Sequence, residues 1–237
     1  MALPKVALPT YELELPSNGK TIKYRPFVVK EEKLLLMAMD TEEESAITSA
    51  VKELLKNCVQ SRIKIDQLPT FDLEYLFLNI RAVSVGEEVD MTITCKDDNK
   101  TEVKYTFSLF DVKIDKPEGH DPKISLSDDM GIIFRYPTFP EFVKSSIIGK
   151  QLDPEGYIDV IAGCVDQIYD GEDVYDSSTT NKKEFKEFIE GLTTSQFKDI
   201  TKFFDTIPKL EHRFNIRNPE TGVESEYVIN GLQNFFG

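Results

Sequence analysis

The sequence predicts an α+β protein, a mostly helical body carrying three antiparallel β-hairpins. Two observations lead there. Segments whose apolar residues recur every three to four positions are interspersed with segments in which apolar and polar residues strictly alternate. Each pair of alternating segments is joined by a turn-forming run: Ser17-Asn18-Gly19-Lys20, Lys96-Asp97-Asp98-Asn99-Lys100 and Asn218-Pro219-Glu220-Thr221-Gly222.

Taken in order, residues 1–10 (MALPKVALPT) form an extended arm, because Pro4 and Pro9 push the residues before them away from helix. Leu3, Val6 and Leu8 are apolar there, with nothing local to cover them. Tyr11, Leu13 and Leu15 then alternate with Glu12 and Glu14, and Ile22, Tyr24 and Phe27 return after Asn18-Gly19, a pair that supplies the positive φ angles of a type I′ turn. Lys30 to Met39 reads as a short helix. A second begins at Thr41, which forms a capping box with Glu44, and repeats apolar residues from Ala46 to Val59. A third, from Thr70 to Val83, follows Pro69. Phe71, Leu73, Leu76, Phe77, Leu78 and Ile80 make it apolar almost all round, so it belongs in the middle of the first part. Val89, Met91, Ile93 and Cys95 pair with Val103, Tyr105, Phe107 and Leu109 as the second hairpin.

The loop from Asp115 to Pro122 is the internal boundary, dividing the chain into residues 1–116 and 117–237. Beyond it come short strands at Lys123–Leu126 and Gly131–Tyr136. The helices that follow are capped by Thr138 with Glu141, Asp153-Pro154, Asn181 with Glu184, and Thr193 with Gln196. The Asp153-Pro154 helix should run through Ile168 and stop near Gly171, and Pro208 ends the last one. Leu210, His212, Phe214 and Ile216 pair with Val223, Tyr227 and Ile229 as the third hairpin, before the tail GLQNFFG. The second and third hairpins each follow an aromatic-rich helix. Two helix-plus-hairpin halves from a diverged duplication would produce that order, and so would independent origin.

Composition narrows the function classes. The chain has 237 residues, 28 Lys and Arg against 42 Asp and Glu, and a formal charge of −14. Binding to duplex nucleic acid or anionic membrane needs clustered basic residues, which are missing. Sixteen Phe and nine Tyr within a 40% apolar composition mark a folded protein rather than an acidic disordered tail. The three cysteines, Cys58, Cys95 and Cys164, form no CxxC pair, so neither a disulfide framework nor a zinc knuckle is expected, and a reducing cytosol fits. No apolar run is long enough for a signal peptide or a membrane span.

Catalytic chemistry is scarcely represented. The only histidines are His120, in the Pro/Gly loop and read as exposed and inert, and His212, read as a partly buried strand residue. Asp166, Asp170, Glu172, Asp173 and Asp176 cluster around Gly171 without EF-hand spacing, and read as a solvated helix end and loop. Phosphate-loop, dinucleotide, nucleophile-elbow and zinc-protease motifs do not occur. No catalytic, cofactor or metal residue is expected, and the chain reads as a protein that binds proteins.

The opening MALPKVALPTYELELPSNGKTIKYRPFVVKEEKLLLMA and the ending GLQNFFG resemble the baseplate hub assembly proteins of T-even-like tailed bacteriophages. The motif is the Asn-Gly hairpin, the Arg25-Pro26-Phe27 exit and the Lys-Glu-Glu helix start. The resemblance implies a non-catalytic assembly factor or chaperone for the baseplate hub. Its partners would be other tail or hub proteins, the tape measure protein among the candidates, and its location the infected host's cytoplasm or the virion baseplate. The opening is also similar to that of tail assembly chaperones. Some members carry cysteine pairs in hairpin turns, where this chain has Asp97-Asp98 and Asn218-Pro219, so no zinc role carries over. With the resemblance, the uncovered apolar termini become the expected partner-binding residues: Leu3, Val6, Leu8, Leu232, Phe235 and Phe236. Two further readings stand beside it: a permanent structural subunit of the baseplate, and an acidic mimic of nucleic acid that blocks a host protein.

Overall fold

The structure is a computed structural model, and it describes residues 6–41, 43–138, 141 and 154–230. Helix and strand are more evenly mixed than the expected helical body. The strands are β1 (Tyr11–Glu14), β2 (Thr21–Tyr24), β3 (Glu88–Thr94), β4 (Glu102–Ser108), β5 (Lys113–Asp115), β6 (Lys123–Ser125), β7 (Met130–Phe134), β8 (Val165–Asp170), β9 (Asp173–Asp176), β10 (Lys209–Arg217) and β11 (Glu224–Asn230). The helices are α1 (Val29–Met39), α2 (Glu44–Cys58), α3 (Thr70–Val85), α4 (Pro154–Gly163), α5 (Lys182–Glu190) and α6 (Thr194–Asp205). The three expected hairpins are present as the antiparallel pairs β1–β2, β3–β4 and β10–β11, but the expected count is too low, because β6–β7 and β8–β9 are further antiparallel pairs of consecutive strands.

The chain forms two compact units. The first comprises residues 1–65, 71–115 and 209–237, and the second residues 66–70 and 116–208. In the first, α3 buries Phe71, Leu73, Leu76, Phe77, Leu78 and Ile80. Its Leu78 joins Val89, Phe107, Leu109, Leu210, Phe214 and Tyr227 in a core between helix and hairpins. The third hairpin belongs to this unit, because β10 pairs with β5 on the side away from β11. The 117–237 grouping missed this: β5 is only three residues long and carries no signal of its own, yet it satisfies the backbone of β10 along Lys209–Glu211.

In the second unit a sheet of order β6-β7-β8-β9 packs its apolar face on α4, α5 and α6 through Ile132, Phe134, Ile161, Val165, Ile168, Phe185, Ile189, Ile200 and Phe203. Here the sequence reading fails from Val165 to Asp176, a stretch that it reads as a helix end and loop. The helix from Pro154 ends at Gly163, and Val165–Asp170 is a strand. Ile158, Ile161, Val165 and Ile168 keep a helical spacing, but β-branched Val165 and Ile168 also suit a strand whose neighbour β7 offers a ladder. Gly171, at φ 60°, then makes the tight turn into β9.

Capping is mostly as the sequence predicts. Asn181 with Glu184 and Thr193 with Gln196 form reciprocal capping boxes. Glu141 accepts from both the N–H and the hydroxyl of Thr138, while Phe142, Val143 and Ile147 lie outside the described residues. Thr41 is the exception. The N-cap of α2 is Glu43, and the Thr41 hydroxyl instead donates to the Ala38 carbonyl at the end of α1.

One local arrangement occurs in both units. In the first, the Arg25 N–H donates to the Cys58 carbonyl (3.0 Å), and its guanidinium donates to the Pro26 carbonyl (2.8 Å) and to Glu31 (3.0 Å). Glu31 also accepts the Val28 N–H at 2.9 Å. In the second, Arg135 N–H donates to the Cys164 carbonyl (2.8 Å), and its guanidinium to the Tyr136 carbonyl (3.2 Å) and to Glu141 (2.8 and 2.6 Å). Glu141 accepts the Thr138 N–H at 2.8 Å. A hairpin leads into each arginine, and the residue before it bridges to the residue after the cysteine: Tyr24 to Val59, and Phe134 to Val165. The likeness is anchored on these two clasps, not on the helix-plus-hairpin order.

Candidate interaction surfaces

Among the described residues, an uncovered apolar face lies on α1. At 100° per residue, Val29, Leu36 and Met37 fall within about 100° of arc, opposite buried Glu31 and Leu35. They are 78%, 55% and 59% exposed. The sequence VKEEKLLLMAM is apolar on both sides of the helix, and the fold covers only one of them. Arg25 and Glu31 hold the helix start in place, so this face sits on a fixed element. The run Leu34-Leu35-Leu36-Met37 was the signal that could have found it, but periodicity alone does not say which side stays uncovered.

Of the residues expected to bind partners, Val6 and Leu8 lie exposed on the N-terminal arm. Leu3, Leu232, Phe235 and Phe236 lie outside the described residues.

The histidines and cysteines are occupied structurally. His212 is buried, bonded through Nε2 to the Tyr105 hydroxyl at 2.9 Å and stacked on Phe107 at 4.5 Å, as a strand histidine should be. His120 corrects the reading of an exposed loop residue. It is half-buried, with Nδ1 on the Thr206 hydroxyl (2.9 Å), Nε2 on the Tyr136 hydroxyl (3.1 Å), and its ring 5.0 Å from Phe203. Those partners lie 16 to 86 residues away in sequence, so local composition could not reveal them. Burial lowers the pKa of both histidines. All three cysteines are free and buried, and burial pushes the Cys58 thiol up to about 11 and Cys164 to about 12.

The acidic cluster is a hairpin, not a helix end. Asp170 and Asp173 pair across the turn at Gly171, and the Asp176 carboxylate accepts from the Ser178 N–H (2.7 Å) and from Gln167 (3.1 Å). Among the described residues no group of three or more His, Cys, Asp or Glu is placed to hold a metal. At the tips of the second and third hairpins, Asp97 accepts from the amide of buried Asn218 (3.0 and 3.1 Å) and from the Thr221 hydroxyl. Those bonds, Thr221 first, hold its carboxyl below the usual range. Beside them, the Tyr227 hydroxyl accepts from the Lys96 N–H at 2.8 Å, and Tyr105 stacks on Phe214 at 4.0 Å. The two turns are thus joined by hydrogen bonds and rings. No helix of the described residues is long and apolar enough to cross a membrane.

A fold of small sheets and short helices with an apolar helix face open to solvent suits a component that works through other polypeptides. Comparison with known families defines which kind. The model of the family described as T4 bacteriophage base plate protein matches residues 8–237, and the chain belongs to that family. No curated protein and no solved structure matches. Membership gives the chain a role in the structure or assembly of the phage baseplate, together with other tail and baseplate proteins.

Proposed function

We propose that this chain is an assembly factor for the baseplate hub, binding hub proteins in the host cytoplasm without catalysing a reaction. The observation that carries the reading is the open face of α1: Val29, Leu36 and Met37 project from a helix whose opposite side is anchored. An uncovered apolar face on a protein of charge −14 suits transient docking, with charge keeping the free form soluble. Val6 and Leu8, with the rest of residues 1–9, form a second docking element, and the tape measure protein is among the candidate partners. Both histidines and all three thiols serve packing, which favours a non-catalytic role.

Quantitative mass spectrometry of purified virions tests the reading. An assembly factor is absent or far below one copy per hub subunit, whereas stoichiometric recovery would make the chain a permanent baseplate subunit. Deletion of residues 1–9 should leave cooperative unfolding intact and weaken partner binding. Loss of cooperative unfolding would place the arm in the core instead.

A further inference from the structure

The second unit has a half-open pocket of about 250 Å³ between its sheet and α5. Met130 of β7, Ile168 of β8 and Phe185 of α5 give it an apolar lining, and Tyr175 of β9 and Phe188 of α5 add two aromatic rings. Pockets for cofactors and drug-sized ligands span roughly 300–1,000 Å³. This one suits a single long side chain.

The charge of the lining identifies which side chain. Among the described residues that line the pocket, the charged ones are Asp170 and Glu184. Asp170 has no side-chain partner among the described residues. Glu184 uses Oε2 for the Asn181 N–H at 3.0 Å, leaving Oε1 for a second donor. An apolar lining suits methylene groups, aromatic faces suit a planar cation, and two carboxylates suit a forked donor. Arginine combines all three, whereas lysine offers a compact point charge without the plane. Access fits a polypeptide, because Tyr175 lies on β9, an edge strand of the sheet, along which an extended segment can run.

We propose that this cavity receives an arginine side chain from a partner polypeptide, with the stem against Met130, Ile168 and Phe185 and the guanidinium between Asp170 and Glu184. The proposal rests on the protein-binding reading above and adds the chemistry of one anchoring residue.

The test is titration of the full-length protein with the tripeptide acetyl-Ala-Arg-Ala-amide, followed by amide NMR. Matched peptides carrying lysine or norleucine serve as comparisons. The arginine peptide should shift the resonances of Asp170, Tyr175 and Glu184 saturably, with Kd of about 1 mM. Norleucine should bind at least tenfold more weakly and lysine severalfold more weakly. Asp170→Asn should weaken arginine binding about tenfold without changing the melting temperature. Glu184→Gln, which keeps an acceptor for Asn181, gives a second measure should Asp170→Asn disturb the hairpin. Equal binding of norleucine, shifts confined to other regions, or no saturable shift up to about 20 mM peptide would overturn the proposal. Such a failure leaves the assembly reading standing, since that depends on virion composition.

Discussion

Replacing Glu31 with alanine tests how the face of α1 is held. The carboxylate bridges the Arg25 guanidinium at 3.0 Å and the Val28 N–H at 2.9 Å, and the two side chains are only 7% and 19% exposed. Removing one member of a buried ion pair costs about 3–5 kcal/mol. Arg25 keeps the Pro26 carbonyl and some solvent, which places the loss near the lower end, and the orphaned N–H at the helix start adds about 1 kcal/mol. The sum is about 4 kcal/mol, or a fall in melting temperature on the order of 10 °C. Glu141→Ala removes the corresponding carboxylate from the second unit, but there the side chains are 32% and 37% exposed, so solvent screening reduces the loss to about 1–2 kcal/mol. Urea denaturation followed by far-UV circular dichroism measures both. A Glu31→Ala loss below about 1 kcal/mol, or one smaller than that of Glu141→Ala, would refute the claim that burial sets the strength of the two clasps.

Other consequences are as direct. Both histidines have folded pKa values below their ordinary 6.5, so the unfolded chain takes up protons first; stability should fall as pH drops below about 6.5 and level off once pH passes below the folded values. His212→Phe should flatten the slope of unfolding free energy against pH just below about pH 6.5, and an unchanged slope would remove His212 from this account. Further acidification should cost more, because Glu141 contributes stability above its unfolded pKa near 4.5. That contribution is lost as pH falls through about 2, the value to which hydrogen bonds from Arg135 and Thr138 pull it against the upward push of burial. Gly131→Ala should destabilise the second unit by about 2 kcal/mol in thermal melts, since a Cβ there would lie 2.5 Å from the Ile124 carbonyl oxygen and against the Tyr169 hydroxyl. Cys58, Cys95 and Cys164, all buried with raised pKa, should resist a thiol reagent at pH 8 until the protein unfolds; prompt labelling of any of them would contradict their packing.

Local chemistry made much of this fold legible. Asn181 with Glu184 and Thr193 with Gln196 each fix a helix start within four residues, so sequence alone places them, whereas at Asn18-Gly19 only Gly19 takes a positive φ (70°) and the loop closed by Leu15 and Lys20 is not the expected type I′ turn. What escaped depends on neighbours far along the chain. Val165 and Ile168 form a strand because β7 lies beside them, and β10 finds β5 almost a hundred residues upstream. His120 is packed by Tyr136, Phe203 and Thr206, none of them in its own loop. The candidate surface follows the same rule. Leu36 and Met37 are plainly apolar in the sequence, but which side of α1 stays open is decided by how Arg25 and Glu31 set the helix down. The cavity beside β9 could not be anticipated while Val165–Asp170 read as helix.

The central claim is that the outward face of α1 docks a baseplate partner, and phage carrying Leu36→Asp and Met37→Asp test it most directly. Both residues are solvent-facing, so the substituted protein should melt within a degree or two of the original, while the yield of complete tails from infected cells should fall at least tenfold. Normal tail yield with a normally folded double variant would contradict the claim.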